Sequence, residues 1–151
     1  MLFLYYVASQ EEAVVAYHAS NMVLSCHSDA LYLSKPGSRS RVGGNFFLSK
    51  DATMPANNGA VLNIAQIIKL VKTLAAEAET GEIIINAREF VAQRMRLVEM
   101  GHPQPRTPIQ MKNSAAHSVF TNNMQPRIKK GIDIQFHWLV CRDAQGQFRY
   151  Y

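Results

Sequence analysis

The hydrophobic pattern of the chain changes its period once, and this change restricts the fold more than any other feature. Residues 21–33 alternate between apolar and polar positions, which predicts a strand. A turn at Pro36-Gly37 follows, then a second predicted strand at 42–49 and a continuous apolar run at 61–71 that predicts a third. Three strands in such close succession predict an antiparallel meander.

Beyond the third strand the apolar residues recur at intervals of three and four, as on one face of a helix. The predicted helix covers residues 74–100 and stops at Gly101, with prolines beyond it. Its predicted inner stripe consists of Ile84, Ala87, Val91, Met95 and Val98.

The remaining segments predict further alternation of helix and strand. We expect short helices at 9–19 and 113–122, a short strand at 107–111, a helix at 132–142 and a strand beginning at residue 148. A meander followed by such alternation predicts an α/β sandwich of two layers.

Length and composition bound the class of protein. The chain has 151 residues, of which 48% are hydrophobic and 18% charged, as expected for one globular domain. No apolar run approaches the roughly 18 residues that a membrane-spanning helix needs, so no membrane partner is expected. Cys26 and Cys141 have neither metal-binding nor redox spacing, which favours a reduced intracellular compartment, cytoplasm or nucleus.

The formal net charge of +5 favours a polyanionic partner such as nucleic acid, although many basic proteins bind none. Two groups of cations lie in predicted loops, where a phosphate backbone could reach them. The alternative is an ordinary solvated surface. The groups are Lys35, Arg39 and Arg41, and Arg127, Lys129 and Lys130.

Two carboxylates could meet above the sheet. Asp29 stands late in the first strand and Glu79 early in the long helix. Mg²⁺ and Mn²⁺ prefer hard oxygen ligands of this kind. Two acids so far apart in sequence are a weak signal by spacing alone, and exposed surface carboxylates are the alternative.

Five segments, taken together and in order, carry a family resemblance. They are YHASNMVLSCHSDALYLS (17–34), SRSRVGGNFFLS (38–49), AAEAETGE (75–82), QMKNSAA (110–116) and KKGIDIQFHWLVCRD (129–143). In this pattern the chain resembles the ribonuclease H region at the end of the polyprotein of copia-type LTR retrotransposons.

The resemblance implies a ribonuclease H-like fold with a mixed sheet, three antiparallel strands and then alternating helix and strand. It implies an N-terminal helical extension at 1–20 and a domain at 21–151 whose C-terminal helix is truncated. Domains of this kind bind an RNA–DNA hybrid and cut its RNA strand with two Mg²⁺ or Mn²⁺ ions.

By the same resemblance Asp29 matches the first metal ligand. Glu79 is the best match for the helix glutamate, with Glu77 as the alternative; about 200° of helical rotation separates the two, so one site cannot use both. Thr80 and Glu82 depart from the family pattern, which has a Leu or Tyr and a small residue at these positions.

The third ligand position falls on Lys112, where the family carries aspartate. At about 4 Å, two unit charges interact by roughly 4 kcal/mol at an effective dielectric near 20, and a dication roughly doubles the repulsion. The ammonium of Lys112 would instead pair with Asp29 and Glu79 in place of the metal. Asn113 and Ser114 match polar residues beside this position, and they would also cap the following helix.

The fourth ligand is expected beyond Tyr151. These departures predict a degenerate copy that binds metal weakly or not at all and is catalytically inactive, with residual binding of an RNA–DNA hybrid or RNA. They leave two alternatives: a domesticated scaffold for protein–protein interaction, and an active metal-dependent ribonuclease H. A truncated core would also favour self-association.

Overall fold

The computed structural model describes residues 2–9, 12, 14–35, 39–68, 75–110 and 130–151, and within them a mixed five-stranded sheet with helices. The strand order is β3-β2-β1-β4-β5; β2 is antiparallel to β1 and β3, whereas β4 is parallel to β1 and β5. In chain order the elements are α1 (Leu2–Ala8), β1 (Val23–Lys35), β2 (Arg39–Ser49), β3 (Ala60–Ile67), α2 (Ala75–Glu99), β4 (Thr107–Gln110), α3 (Lys130–Ala144) and β5 (Phe148–Tyr150).

The antiparallel meander is confirmed. Alternation along β1 sends Leu24 and Cys26 to the face that packs on α2, where Phe46 of β2 stands directly opposite Cys26. The third strand ends at Ile67, four residues before the predicted end.

The long helix is confirmed, but its predicted inner stripe is partly wrong. Ile84 and Ala87 are buried, whereas the side chains of Met95 and Val98 are 59% and 53% exposed. The buried row in the second half of α2 instead runs through Phe90 and Leu97. Both rows fit intervals of three and four, so periodicity alone could not choose between two adjacent helix faces.

Gly101 ends α2 as predicted. It has a φ of 87°, its N–H bonds to the carbonyl of Val98, and the N–H of His102 bonds to the carbonyl of Leu97. This pair of bonds satisfies two of the last helical carbonyls and requires a left-handed residue, which glycine adopts without steric cost.

The predicted helix at 9–19 is wrong. The N-terminal helix is α1, and residues 14–20 have neither helical nor strand structure. Instead, Asn58 accepts a hydrogen bond from the N–H of His18 and donates one to its carbonyl, while the Tyr17 hydroxyl donates to the carbonyl of Ala60. These tertiary bonds hold the backbone in a non-helical conformation and override the local helix signal.

The remaining elements agree with the sequence-based expectations where they can be compared. The strand predicted at 107–111 is confirmed over Thr107–Gln110, with residue 111 outside the described part, and helix α3 and strand β5 are confirmed. The helix predicted at 113–122 lies outside the described residues, and the domain boundary at residue 20 stays a prediction. No helix in the described part of the chain is long and apolar enough to cross a membrane.

Candidate functional site

Asp29 stands near the middle of the sheet. It is exposed and pairs with Gly43 of β2. His27, two residues earlier and therefore on the same face of β1, pairs with Gln110 at the end of β4. Successive residues of a strand point to opposite faces of the sheet. Cys26 faces α2, so Asp29, three residues later, lies on the face opposite that helix.

A row of uncharged polar side chains crosses four strands beside Asp29. The register places Asn63 of β3 opposite Asn45, Asn45 opposite His27, and His27 opposite Gln110. These residues line an open depression of about 480 Å³ that also includes Asp29. Amide side chains both donate and accept hydrogen bonds, so this surface suits a ligand with many polar edges.

His27 has a defined setting in this row. Its ring packs edge-on against Phe47 with 4.9 Å between the centroids. Burial lowers the pKa of His27, because it disfavours the charged imidazolium. At neutral pH the imidazole therefore offers one donor and one acceptor rather than a positive charge.

The predicted loop around Arg39 and Arg41 is wrong, because β2 begins at Arg39 and pairing with β1 and β3 includes both residues in the sheet. Arg39, its first residue, is exposed; Arg41 is half-buried and pairs with Leu31, two residues beyond Asp29 on the same face. The Nε of Arg41 is buried and has no hydrogen-bond partner among the residues that the structure describes. The structure thus brings these two predicted binding residues to the side of the sheet that carries Asp29.

A buried polar network lies directly behind this surface. Ser28 Oγ is hydrogen-bonded to Glu82 Oε1, and Asn86 Nδ2 donates to Ser28 Oγ at 2.7 Å and to the carbonyl of Gly43 at 3.1 Å. Glu82 and Asn86 are 4% and 1% exposed. Because a carbonyl only accepts, Asn86 must be the donor, which leaves the Ser28 hydroxyl free to donate to the carboxylate.

These network residues are absent from the sequence-based predictions. In the sequence, Glu82 stands out only as a departure from the family pattern. The available signal was the spacing of Glu82 and Asn86, four residues apart on one helix face, beside apolar Ile83 and Ile84. Polar residues at inner helix positions predict a polar partner on the facing strand, which is Ser28.

Several predicted residues cannot be compared with the structure. Glu77 and Glu79 belong to the first turns of α2, but their side chains lie outside the described part, as does that of Lys130 at the start of α3. Also outside the described residues are Lys112, Asn113, Ser114, Arg127 and Lys129. The ion pair of Lys112 with Asp29 and Glu79 therefore stays a prediction.

The described residues alone do not make a metal site. They contain no group of three or more His, Cys, Asp or Glu side chains that could hold an ion. Asp29 brings one carboxylate to the depression, whereas Glu82 is buried behind the strand and bonded to Ser28. A pair of dications needs more oxygen ligands than this set supplies, so we derive no catalytic step through a metal.

No protein-family model matches the chain, and no curated protein matches it by sequence. Its fold is similar to that of LC11-RNase H1, isolated from compost by a metagenomic approach, with a TM-score of 0.55 and 10% identity over 86% of this chain and 83% of that one. It is also similar to part of the protease-reverse transcriptase of prototype foamy virus, with a TM-score of 0.51 and 12% identity.

The second match covers 95% of this chain but only 18% of the viral protein. At such low identity these similarities establish architecture alone. The order of the five strands, the antiparallel meander at the start and the two solved structures agree: the chain has a ribonuclease H-like fold.

Proposed function

We propose that this chain binds an RNA–DNA hybrid on the sheet face around Asp29 and cuts it poorly or not at all. The observation that carries this proposal is the polar row across four strands, from Asn63 to Gln110, lining the open depression beside Asp29. The copia-type origin inferred from the sequence is part of the same proposal.

The chemistry of this face suits a nucleic acid. Amide and neutral imidazole groups can donate to and accept from base edges and the 2′-hydroxyl of RNA. Arg39 and Arg41 stand on the same side and can contact phosphate, which fits the overall charge of +5. The uncharged polar groups suit the base edges and the 2′-hydroxyls of a duplex, and the neighbouring cations suit its phosphates.

The sequence resemblance supports the ribonuclease H origin and assigns Asp29 and Glu79 as inherited ligand positions. Glu79 lies one helical turn before Glu82, whose carboxylate contacts Ser28, the residue before Asp29. Helix packing therefore brings the backbone of this part of α2 close to the strand that carries Asp29. Asp29 itself faces away from α2, so the assignment of these two positions rests on the sequence resemblance.

Lys112 is the reason to expect weak cutting. A lysine at the third acidic position supplies a cation where the family supplies a carboxylate, and this opposes dication binding. Loss of the third metal-binding carboxylate would leave nucleic-acid binding intact, because the polar row and the arginines do not depend on a metal.

A cleavage assay tests the catalytic half of the proposal. A labelled RNA–DNA hybrid is incubated with Mg²⁺ or Mn²⁺ and with the wild-type chain, Lys112→Asp, or the double variant Lys112→Asp/Asp29→Asn. We expect no cutting above background by the wild type. Any activity gained by Lys112→Asp must disappear in the double variant. Robust, metal-dependent cutting by the wild-type chain would refute the proposal.

A pair of arginine variants tests the binding half. Arg39→Gln removes an exposed cation on the proposed face, and Arg96→Gln removes an exposed cation from α2, which packs on the other face. We expect Arg39→Gln to weaken hybrid binding and to reduce the salt slope by about one, as for one lost phosphate contact. Equal effects of the two changes would exclude this face as the binding surface.

A further inference from the structure

Strand β3 forms one edge of the sheet, and its composition is unusual for an edge. It spans eight residues, Ala60–Ile67, with the sequence AVLNIAQI and no charged residue, proline or glycine. No other described strand pairs with its outer side, and the Tyr17 hydroxyl bonds to the carbonyl of Ala60 at its first residue. Monomeric proteins commonly protect such edges with lysine, proline or very short strands.

The opposite edge differs. Strand β5 has only three residues, Phe148–Tyr150, and its central residue is Arg149. A short edge with a cation resists pairing with another chain. Among the described strands, β3 is therefore the edge that is open to self-association.

The hydrogen-bond alternation shows which groups of β3 face outward. The N–H of Ile68 bonds to the carbonyl of Ser40 at 2.8 Å, so residue 68 faces β2. In an antiparallel ladder alternate residues bond to one neighbour. The register from Leu62 to Ile67 is continuous, so the backbone groups of Asn63, Ala65 and Ile67 point away from β2.

We propose that β3 pairs in antiparallel fashion with β3 of a second copy of this chain, about a two-fold axis through Ala65. Asn63 of each copy then lies opposite Ile67 of the other, and Ala65 lies opposite Ala65. Each of these pairs exchanges two backbone hydrogen bonds. The small side chain at the axis lets the strands approach, and a strand without charge places no like charges opposite each other.

A second copy fits this edge for a geometric reason. A two-fold axis perpendicular to the sheet uses the same edge of both copies and closes the assembly as a dimer. Pairing of β3 with β5 would instead build an open filament, which the short strand with Arg149 disfavours. The side chains of Val61 and Ile67, 50% and 43% exposed, border the new contact.

The geometry also fixes how the two copies are arranged. Rotation about an axis perpendicular to the sheet leaves the faces unchanged, so both depressions beside Asp29 lie on one side of the joined sheet and both α2 helices on the other. The pairing does not depend on nucleic-acid binding.

The dimer is expected to be weak. Strand-edge pairing buries much less than the roughly 1,200 Å² of a stable interface. Each copy carries a net charge of +5, and salt screens the repulsion between copies. Dimerisation therefore strengthens with salt, whereas binding of a nucleic acid weakens.

Sedimentation of the full chain at increasing concentration tests the proposal. We expect a concentration-dependent dimer for the wild type and for Leu31→Lys, and a monomer for Ala65→Lys, which sets two cations against each other at the axis. Leu31 is the control because it is exposed on the same face in the central strand β1. A wild type that stays monomeric at all concentrations, or a dimer that survives Ala65→Lys, overturns the proposal.

A disulfide variant tests the register and does not depend on Ala65→Lys folding. In a Cys141→Ser background, Ala65→Cys should oxidise to a covalent dimer, because directly opposite Cα atoms about 5.5 Å apart lie within disulfide range. Leu31→Cys in the same background should stay monomeric. Failure of Ala65→Cys to cross-link, or equal cross-linking by both variants, overturns the pairing about Ala65.

Discussion

At the scale of single residues, the buried hydrogen-bond network behind Asp29 leaves no room for a side chain at Gly44. A Cβ at this position would lie 2.5 Å from Asn86 Oδ1 and 2.9 Å from a ring carbon of Phe46. Asn86 cannot move aside without breaking its bonds to Ser28 and Gly43. Gly44→Ala should therefore destabilise the fold by about 1–3 kcal/mol through overpacking, measured by urea unfolding.

Gly43→Ala is the matched control. A Cβ at residue 43 would meet only the carbonyl oxygen of Asp29, at an ordinary contact distance of 3.5 Å. We expect a change within about 1 kcal/mol. If the two alanine variants are equally destabilised, the contact with Asn86 is not the cause of the loss at residue 44. A general effect of strand propensity would then explain both changes.

The two cysteines should differ sharply in reactivity. Burial raises the pKa of the Cys26 thiol; a backbone hydrogen bond from Asn45 opposes this rise, and the negative charge of Glu82 adds a smaller increase. The thiolate is the reactive form, whereas Cys141 is exposed. A thiol reagent should modify one cysteine of the native chain rapidly and the second only on unfolding.

Cys141→Ser supplies the control for this measurement, since it should abolish the rapid phase and leave the slow one. Rapid labelling of native Cys141→Ser would show that Cys26 is accessible and that the core around α2 opens readily.

At the scale of secondary-structure elements, neighbouring positions on α2 test the corrected helix face. Leu97 is 6% exposed in the core and Val98 is 53% exposed. Leu97→Ala should cost about 2–5 kcal/mol because it leaves a cavity, and Val98→Ala should change stability by no more than about 0.5 kcal/mol. Chemical denaturation compares the two. If Val98→Ala lowers the free energy of unfolding more than Leu97→Ala does, the inner helix face predicted from the sequence is the correct one.

Asn58 holds residues 14–20 at His18 through both the backbone N–H and the carbonyl of that residue. Asn58 Nδ2 donates to the carbonyls of His18 and Leu48, and its Oδ1 accepts from the N–H of His18. Asn58→Asp replaces the donor with a carboxylate oxygen that faces two carbonyls. We expect a loss of about 1–3 kcal/mol and faster proteolysis within residues 14–20.

Asn57→Asp is the control, because Asn57 is the exposed neighbour and adds the same charge. If the two variants are cleaved at the same rate, the bonds of Asn58 do not hold the segment in place.

At the scale of the whole molecule, the sequence predicted what depends on local pattern. The meander followed from alternation and turn residues, and the end of α2 followed from Gly101. The contacts that place elements against each other were not readable in the same way. Asn58 bonds to His18 across 40 positions, and Ser28 bonds to Glu82 across 54 positions. Such long-range hydrogen bonds leave no periodic signal in either partner.

The candidate site shows the same division. Asp29 could be found as a carboxylate on a strand, and Arg39 and Arg41 as cations near it. The row formed by Asn45, Asn63 and Gln110 exists only through the register of four strands, which no single segment encodes. Periodicity could therefore locate the strand that carries the site but not the surface around it.

Hybrid binding tests the central claim most directly. Fluorescence anisotropy would follow a labelled RNA–DNA hybrid titrated with the wild-type chain across a salt series, without divalent metal and with a DNA duplex of the same sequence as competitor. We predict saturable binding that weakens steeply with salt and a preference for the hybrid over the DNA duplex. Absence of binding at low salt, or equal affinity for the two duplexes, would contradict the proposed function.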